Sequence, residues 1–509
     1  MAQPQVYQEI ERKLEVPNRF RLPTLSAVSD GIGKVIVQPT LHLRADYYDT
    51  ADLRLARNRI TLRRRTGGGD DGWHLKLPHA DEATRDEVRL PLDSAGHPPT
   101  ELVHLALGMT RGAVLTPVAT LRTERRPSLV YDPHGVALAE VTDDRVSVTI
   151  DGKVTSRFRE LEVEAAPGRT ADDLDDIITT LVAAGAREST FASKAVRALG
   201  SRASEPPDIP LPRRAGPHDA AGDALHGFLA GQVAAFIAHD LGVRRGLPDS
   251  VHQLRVAARR LRSALKVFGS LLDPDWATEL RAELAWIAGE MGAARDNEVL
   301  KGTLLAGLAQ VDTKGTKQAA AVVRRELARD EHDAAQDVSA TLQSTRYLAL
   351  LDALVDAARA PRFTAAATEA AGKALPPLMR ATWRQLARAV RALRRNGPDD
   401  DWHRARIRAK QARYAADALA PVFGRPARRL AKQLEQVTEL LGRHQDAAVA
   451  AEAAMTLAGC KGVGDHGRRA LGLLHDAQRA EVRSIRKEFT SIWPSVAKPR
   501  RRRWLRPGD

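Results

Sequence analysis

Glu9-Ile10-Glu11-Arg12-Lys13 is the stretch whose conformation decides the N-terminal fold. Wound as a helix, Glu9, Glu11 and Lys13 would fan around the cylinder. Extended, with a period of two, all three point to one face, and Ile10 and Leu14 share the other with Arg12. An acid–acid–base row on one strand face sets hard oxygen ligands for a divalent cation beside a donor for an anion. A solvated edge strand also carries mixed charge, so the row gains meaning only from the charged strands farther along the chain.

The 509 residues exceed one ordinary core and predict two or more domains. The single cysteine, Cys460, has no internal partner, which fits a reducing compartment. Residues Met1 to Val6 carry no signal-peptide pattern, and no apolar run is long enough to span a bilayer. The expectation is a cytoplasmic protein without a membrane partner. The net charge of +14 is unevenly placed: residues 1–200 hold 27 Lys and Arg against 29 Asp and Glu, residues 201–509 hold 51 against 35. The whole excess lies in the second part, where it favours a polyanion.

Residues 1–200 predict strands separated by turns, among them Asp132-Pro133-His134-Gly135 and Asp151-Gly152. Charge alternates inside these strands too. Arg63 and Arg65 share a face, with Leu62 opposite. His74 and Lys76 share another, with Leu75 and Leu77 opposite. Arg122 lies in a further strand, and Glu160, Glu162 and Glu164 share a face against Leu161 and Val163. Like charges ordered toward water gain nothing. Lining one cavity, basic strands could grip a polyphosphate and acidic strands its metal ions. The loop Gly67-Gly68-Gly69 is expected to be a flexible hairpin turn rather than a phosphate cradle.

E-I-E-R-K resembles the ExExK signature of the CYTH, or triphosphate tunnel metalloenzyme, superfamily. The order downstream is similar as well: Tyr48-Asp49-Thr50, Leu62-Arg63-Arg64-Arg65, Trp73-His74-Leu75-Lys76, Arg122 to Arg126, Glu140 to Asp144, Glu160-Leu161-Glu162-Val163-Glu164 and Ser193-Lys194. The resemblance implies an antiparallel β-barrel whose polar interior binds a triphosphate. By it, Lys13, Arg63, Arg65, Lys76, Arg122 or Arg125, and Lys194 bind phosphates. Glu9 and Glu11 hold one metal; Glu160 and Glu162, with Asp144 and Glu164, hold a second or orient the attacking water. Glu160, Glu162 and Lys13 are the catalytic candidates, and Mg²⁺ or Mn²⁺ the cofactor. Arg122 and Arg125 lie on opposite faces of an ideal strand, and the register of the glutamate row is left open. Hydrolysis is the chemistry such a set serves, because cations relieve the charge that protects a triphosphate from water.

Residues 201–217 are proline-rich and are expected to be a semi-extended linker. Residues 218–495 are Ala-, Leu- and Arg-rich with helical periodicity, and they repeat, about 218–360 against 361–495. One copy carries His252, Arg255, Arg259 and Arg262, running on to Lys266; the other carries His403, Arg406, Lys410 and Arg413. Each set lies along one helix face. Farther on, Gly292 to Asp296 echoes Gly442 to Asp446. This part resembles the CHAD domain, which implies that both basic helices face a groove for inorganic polyphosphate. In the second copy Gln411, Ala412 and Asp417 depart from that pattern. A lone histidine per helix disfavours zinc. Nucleic acid is the less favoured polyanion, since stacking aromatics are few, although sequence-blind phosphate contacts leave it open. Residues 496–509 are expected to be a disordered basic tail.

The expected architecture is α+β and multidomain: an N-terminal antiparallel β-barrel tunnel and a C-terminal all-α domain of two duplicated helical bundles. The expected function is metal-dependent hydrolysis of triphosphate or a related chain, with long polyphosphate as partner and polyphosphate granules as a place of association. The alternatives are a non-enzymatic polyphosphate-binding protein and an adenylyl cyclase of the CYTH type. The sequence does not set the oligomeric state.

Overall fold

Two unlike faces make the opening stretch a strand. In the computed structural model, β1 (Gln5–Glu15) buries Leu14 completely against Leu161, Val163 and Leu181, while its acidic face turns the other way. Residues 5–25, 31–79, 84–93, 95–210 and 214–506 are described. They fall into two units, Met1–Asp208 and Ile209–Asp509.

The first unit continues with β2 (Lys34–Val37), β3 (Leu41–Asp49), β4 (Thr61–Thr66), β5 (Gly72–Pro78), β6 (Thr84–Leu90), β7 (Thr116–Tyr131), β8 (Ala137–Ile150), β9 (Lys153–Ala165) and β10 (Arg187–Glu188). Helices α1 (Arg54–Arg57), α2 (Thr100–Thr110), α3 (Asp175–Ala183) and α4 (Lys194–Leu199) are set among them. The strands pair antiparallel in the order β1-β6-β5-β4-β3-β7-β8-β9, and β9 returns to β1. Eight strands thus close an antiparallel barrel and remove its edges. One stretch of the outer surface is sealed by Leu174, Ile177, Ile178 and Leu181, in and just before α3. Inside, Ala195 and Ala198 of α4 pack on Tyr47, Leu121, Val146 and Val148. The Ser193 side chain accepts from the Val196 N–H and caps α4, which fixes Lys194 in its first turn.

The glycine loop is more constrained than a flexible turn. Gly67 has a φ of +91°, and a Cβ there would stand 2.1 Å from the His42 carbonyl oxygen, so the β4–β5 hairpin needs this glycine. The expected linker also changes character. Its first half is fastened to the first unit: Arg57 donates to the Pro206 carbonyl, and Asp208 pairs with Arg111 at 2.5 Å and with Arg57 at 3.4 Å. Arginines absent from the proline-rich segment itself therefore remove its freedom; residues 211–213 lie outside the described part.

The second unit comprises α5 (Ala221–Arg244), α6 (Ser250–Val267), α7 (Pro274–Glu290), α8 (Gly292–Leu308), α9 (Thr316–Gln343), α10 (Thr345–Arg359), α11 (Ala371–Ala392), α12 (Asp399–Phe423), α13 (Arg425–Ala458) and α14 (Asp465–Val496). Its duplication is visible in space. The equivalent helices α5 and α11 begin side by side, joined by a bridge between Ala220 and Ala370. The copies also share a core: Leu304 and Leu308 of α8 and Val323 of α9 cluster with Ala454 of α13 and Leu471 and Leu474 of α14. Among the described residues no helix is long and apolar enough to cross a membrane.

The basic tail is a correction. Residues Pro499–Leu505 form a 3₁₀ helix, Leu505 is buried, and Trp504 packs on Phe423 with ring centroids 5.1 Å apart. Arg502 stacks over Trp383 at 3.7 Å, and Arg380 bonds the Leu505 carbonyl. Two apolar anchors, Trp504 and Leu505, oppose the disorder that the run of arginines alone would favour. Residues 507–509 lie outside the described part.

Candidate functional site

The barrel encloses a cavity of about 510 Å³. Period-two alternation delivers Glu9, Glu11 and Lys13 from β1, Arg63 and Arg65 from β4, Lys76 from β5, Arg125 from β7, and Glu162 and Glu164 from β9; Lys194 enters from α4. Asp144 and Glu160 sit immediately behind this lining, almost wholly buried, and reach it through Lys194, which lies 2.9 Å from Asp144, 3.1 Å from Glu160 and 2.6 Å from Glu162. Arg122 is the exception. It is exposed on the outer surface, beside Arg44 and Arg145, and contributes nothing to the cavity. The reason is parity: Leu121, Thr123 and Arg125 face inward from β7, so Arg122 faces outward.

Acids and bases in this cavity hold one another. Glu11 bonds Lys13, and Glu9 bonds Lys76, with Arg89 3.3 Å away. Arg125 lies 2.6 Å from Asp144 and 2.8 Å from Glu162. Burial opposes ionisation of Glu11, but the Lys13 and Lys76 ammoniums hold it down to about 2. Burial, with Glu9 and Glu11 nearby, pushes Glu164 up to about 7. Burial and the Arg63 charge push Arg65 down to about 10, even with Asp70 at 2.8 Å. Carboxylates short of cations thus stand in the same space as guanidiniums crowding one another.

Reading the sequence strand by strand missed one strand. Arg85 and Arg89 line the cavity from β6, and Glu87 lies fully buried between them in the sequence. Glu87 accepts from His74 at 2.9 Å and is 3.6 Å from Arg63. Burial works against its charge, yet His74, Lys76 and Arg63 outweigh it and hold its carboxyl well below the usual range. The signal was present, since Arg85, Glu87 and Arg89 alternate at the same spacing as the other rows. Glu140, Asp70 and Tyr47 complete the missed lining.

The acidic face is chemically suited to a hard divalent cation. Glu11 and Glu164 are directly opposed in the β1–β9 register, an arrangement that like charges disfavour and a cation would relieve. Among the described residues no group of three or more carboxylate, histidine or cysteine side chains already converges on a metal position; the carboxylates are turned to lysine and arginine instead.

In the second unit, Leu254, Ala258, Leu261 and Leu265 bury one side of α6, and Trp402, Ala405, Ala409 and Ala416 bury one side of α12. The two helices pack together, and Arg260 of α6 lies 5.8 Å from the Tyr414 ring of α12. Their basic faces converge: Arg406 and Lys410 feel the charge of Arg259, and Lys410 also that of Arg255. Arg262 and Lys266 feel Arg281 of α7, and Lys266 also Arg408; both neighbours come from outside the repeated pattern. The Asp echo has a use, for Asp296 lies 3.0 Å from Arg255 and Asp446 acts on Arg406 and Lys410. His403 bonds Gln445 at 2.8 Å, and His252 sits one turn before Arg255 on α6.

The CYTH domain family matches residues 7–193, and the CHAD domain family matches residues 227–454. This is a CYTH–CHAD protein. It is 34% identical over 474 residues to "Uncharacterized protein Rv2226" of Mycobacterium tuberculosis, with 87% of each chain covered. Among solved structures it is similar to PptA from Streptomyces chartreusis (30% identity, TM-score 0.48, covering 54% of this chain and all of that one). It is also similar to the CHAD domain from the plant Ricinus communis (24% identity, TM-score 0.45, covering 57% and 96%). The CYTH family comprises triphosphate tunnel enzymes, some of them triphosphatases and generally metal-dependent, and both families bind phosphate-containing ligands.

The two copies of the CHAD domain are unequal. Arg413 is already engaged by Glu435 and by Thr438 at 3.2 Å, whereas its counterpart Arg262 has no acid paired to it among the described residues, and burial with Arg281 and Arg259 nearby works against its charge. Lys410 is the most strained cation of this face: burial and the adjacent Arg406 and Arg259 push it down to about 7. Because this lies below the ordinary lysine value, the folded state forfeits a proton that the unfolded chain keeps. The penalty is full below about pH 7, where both states keep the proton, and fades as pH rises from there toward the free-lysine value. Lys410→Met should therefore raise the melting temperature of the full chain near pH 7, read by differential scanning fluorimetry at low salt. An unchanged or lower melting temperature would show that the crowding is not costly.

Proposed function

We propose that the CYTH domain hydrolyses inorganic triphosphate or a related triphosphate-bearing chain with Mg²⁺ or Mn²⁺, and that the CHAD domain binds inorganic polyphosphate. What carries this reading is one cavity holding six candidate phosphate cations, Lys13, Arg63, Arg65, Lys76, Arg125 and Lys194, together with the carboxylates Glu9, Glu11, Glu162 and Glu164. A triphosphate is protected from water by its own charge, and guanidiniums and ammoniums fixed in a water-poor cavity relieve it. Arg63, Arg65 and Arg125 draw the chain into the tunnel; Lys13 and Lys76 exchange their glutamate partners for phosphate oxygens. Glu9 and Glu11, so released, are the residues that would hold a divalent metal, which when bound would supply charge that neutralises phosphate oxygens. Glu162, held by Lys194 with Glu160 behind that lysine, orients a water and accepts its proton as the water oxygen bonds to the terminal phosphorus. The phosphoanhydride bond then breaks, and inorganic phosphate and pyrophosphate leave.

The decisive assay is phosphate release by the purified full chain, with Mg²⁺ and then Mn²⁺, on triphosphate, ATP and long polyphosphate in parallel. Release from triphosphate that stops with excess EDTA is the expected result. Release undiminished by EDTA would exclude the metal role. Cyclic nucleotide from ATP would select the cyclase reading. No product from any substrate, with tight polyphosphate binding, would select a binding protein whose ion-paired barrel only grips phosphate.

A further inference from the structure

Arg122, excluded from the tunnel, belongs to a different array. On the outer surface of the barrel the pairing registers place Arg44 opposite Arg122, Arg122 opposite Ser147, and Ser147 opposite Arg157, so one row crosses four strands. Arg145 stands in the adjacent row. All four arginines are exposed, and the patch is a shallow concavity of about 680 Å³ that His42 also borders. Like charges directly opposed on neighbouring strands destabilise a sheet, and surfaces that merely face water intersperse both signs. Acids are not absent: Asp46 holds Arg44 within the row at 3.0 Å, Glu124 borders the concavity opposite Arg145 but is turned to Arg126 at 2.6 Å, and Asp143 pairs with Arg159 at 2.7 Å. Among the described residues no acid pairs with Arg122, Arg145 or Arg157.

We infer that this outer row is a phosphate-chain site of its own, which holds a long inorganic polyphosphate on the barrel surface outside the tunnel. The inference rests on the proposed function, because it concerns the same class of chain. The row offers guanidiniums and one hydroxyl. The nearby Phe158 ring is covered by Arg197 at 4.1 Å and packs on the core beneath, which leaves the bases of a nucleic acid little beyond His42 to stack on, whereas a bare phosphate chain needs only donors and positive charge. Its length matters as well: a row spanning four strands is about 14 Å across at the usual strand spacing, which many phosphates together can follow.

The test is arginine-selective labelling of the full chain with phenylglyoxal, read residue by residue by mass spectrometry. Long-chain polyphosphate should slow labelling of Arg122, Arg145 and Arg157 several-fold, and high salt should reverse the protection. Single-stranded RNA at equal phosphate concentration should protect them less. Unchanged labelling with polyphosphate would overturn the site; stronger protection by RNA would overturn its assignment and make the partner nucleic acid. Arg122→Glu with Arg157→Glu should abolish protection at Arg145 while phosphate release from triphosphate stays within a factor of two of the parent chain. That release reads the tunnel independently: its absence from the parent chain would refute the hydrolase reading without touching the labelling result.

Discussion

Glu9→Gln combined with Glu11→Gln should reduce phosphate release from triphosphate by on the order of 10³-fold or more, since the metal's charge and a preorganised electrostatic site are lost together. The two glutamines keep shape and strand pairing, so the fold should persist. A second consequence separates this from simple damage. Glu9 now bonds Lys76 and Glu11 bonds Lys13. Neutralising both acids frees both ammoniums, so triphosphate should bind the double variant more tightly than the parent when no metal is present. Isothermal titration in EDTA reads that change, and phosphate release in Mg²⁺ reads the loss. Normal turnover would end the metal assignment. Lost turnover with weaker metal-free binding would mean that these glutamates support the cavity rather than compete for its cations.

Arg255→Ala, Arg259→Ala and Arg406→Ala together should weaken polyphosphate binding by the full chain by roughly 10- to 100-fold near physiological salt, and should lower the slope of log affinity against log salt by about 2. The two basic helix faces converge. Arg259 acts on both Arg406 and Lys410 across the α6–α12 contact, so the three arginines belong to one positive field and not to two solvated helix faces. Removing them also removes the crowding at Lys410, which should return toward its ordinary titration range. Filter binding or anisotropy across a salt series measures both quantities. A uniform loss with an unchanged salt slope would point to helix damage instead of lost phosphate contacts.

Much of the site was legible because a barrel interior and a strand period are simple rules. Glu9, Glu11 and Lys13 stand on one face, as do Arg63 and Arg65, and Glu162 and Glu164, and all seven line the same cavity. The choice between Arg122 and Arg125 was not legible. Usually the apolar face of a strand marks the interior, but here the interior is polar, so β7 alternates Leu121, Thr123 and Arg125 inside with Arg122, Glu124 and Arg126 outside, and hydropathy cannot orient it. Asp144 and Glu160 likewise share the sequence pattern of lining residues; only Lys194, arriving from a helix later in the chain, shows that they act from behind.

The sequence by itself determined the two domain families, the duplication of the helical part and the residue types of both sites, because each follows from local periodicity and from short motifs in order. Tertiary structure alone decided which cations are neutralised and which are left crowded. Lys13 and Lys76 are held by glutamates, Arg413 is held by Glu435, and Arg122, Arg145 and Arg157 share one concavity with no acid paired to them among the described residues. Charge pairing depends on distances of a few ångströms between segments far apart in the chain, and no one-dimensional pattern contains those distances.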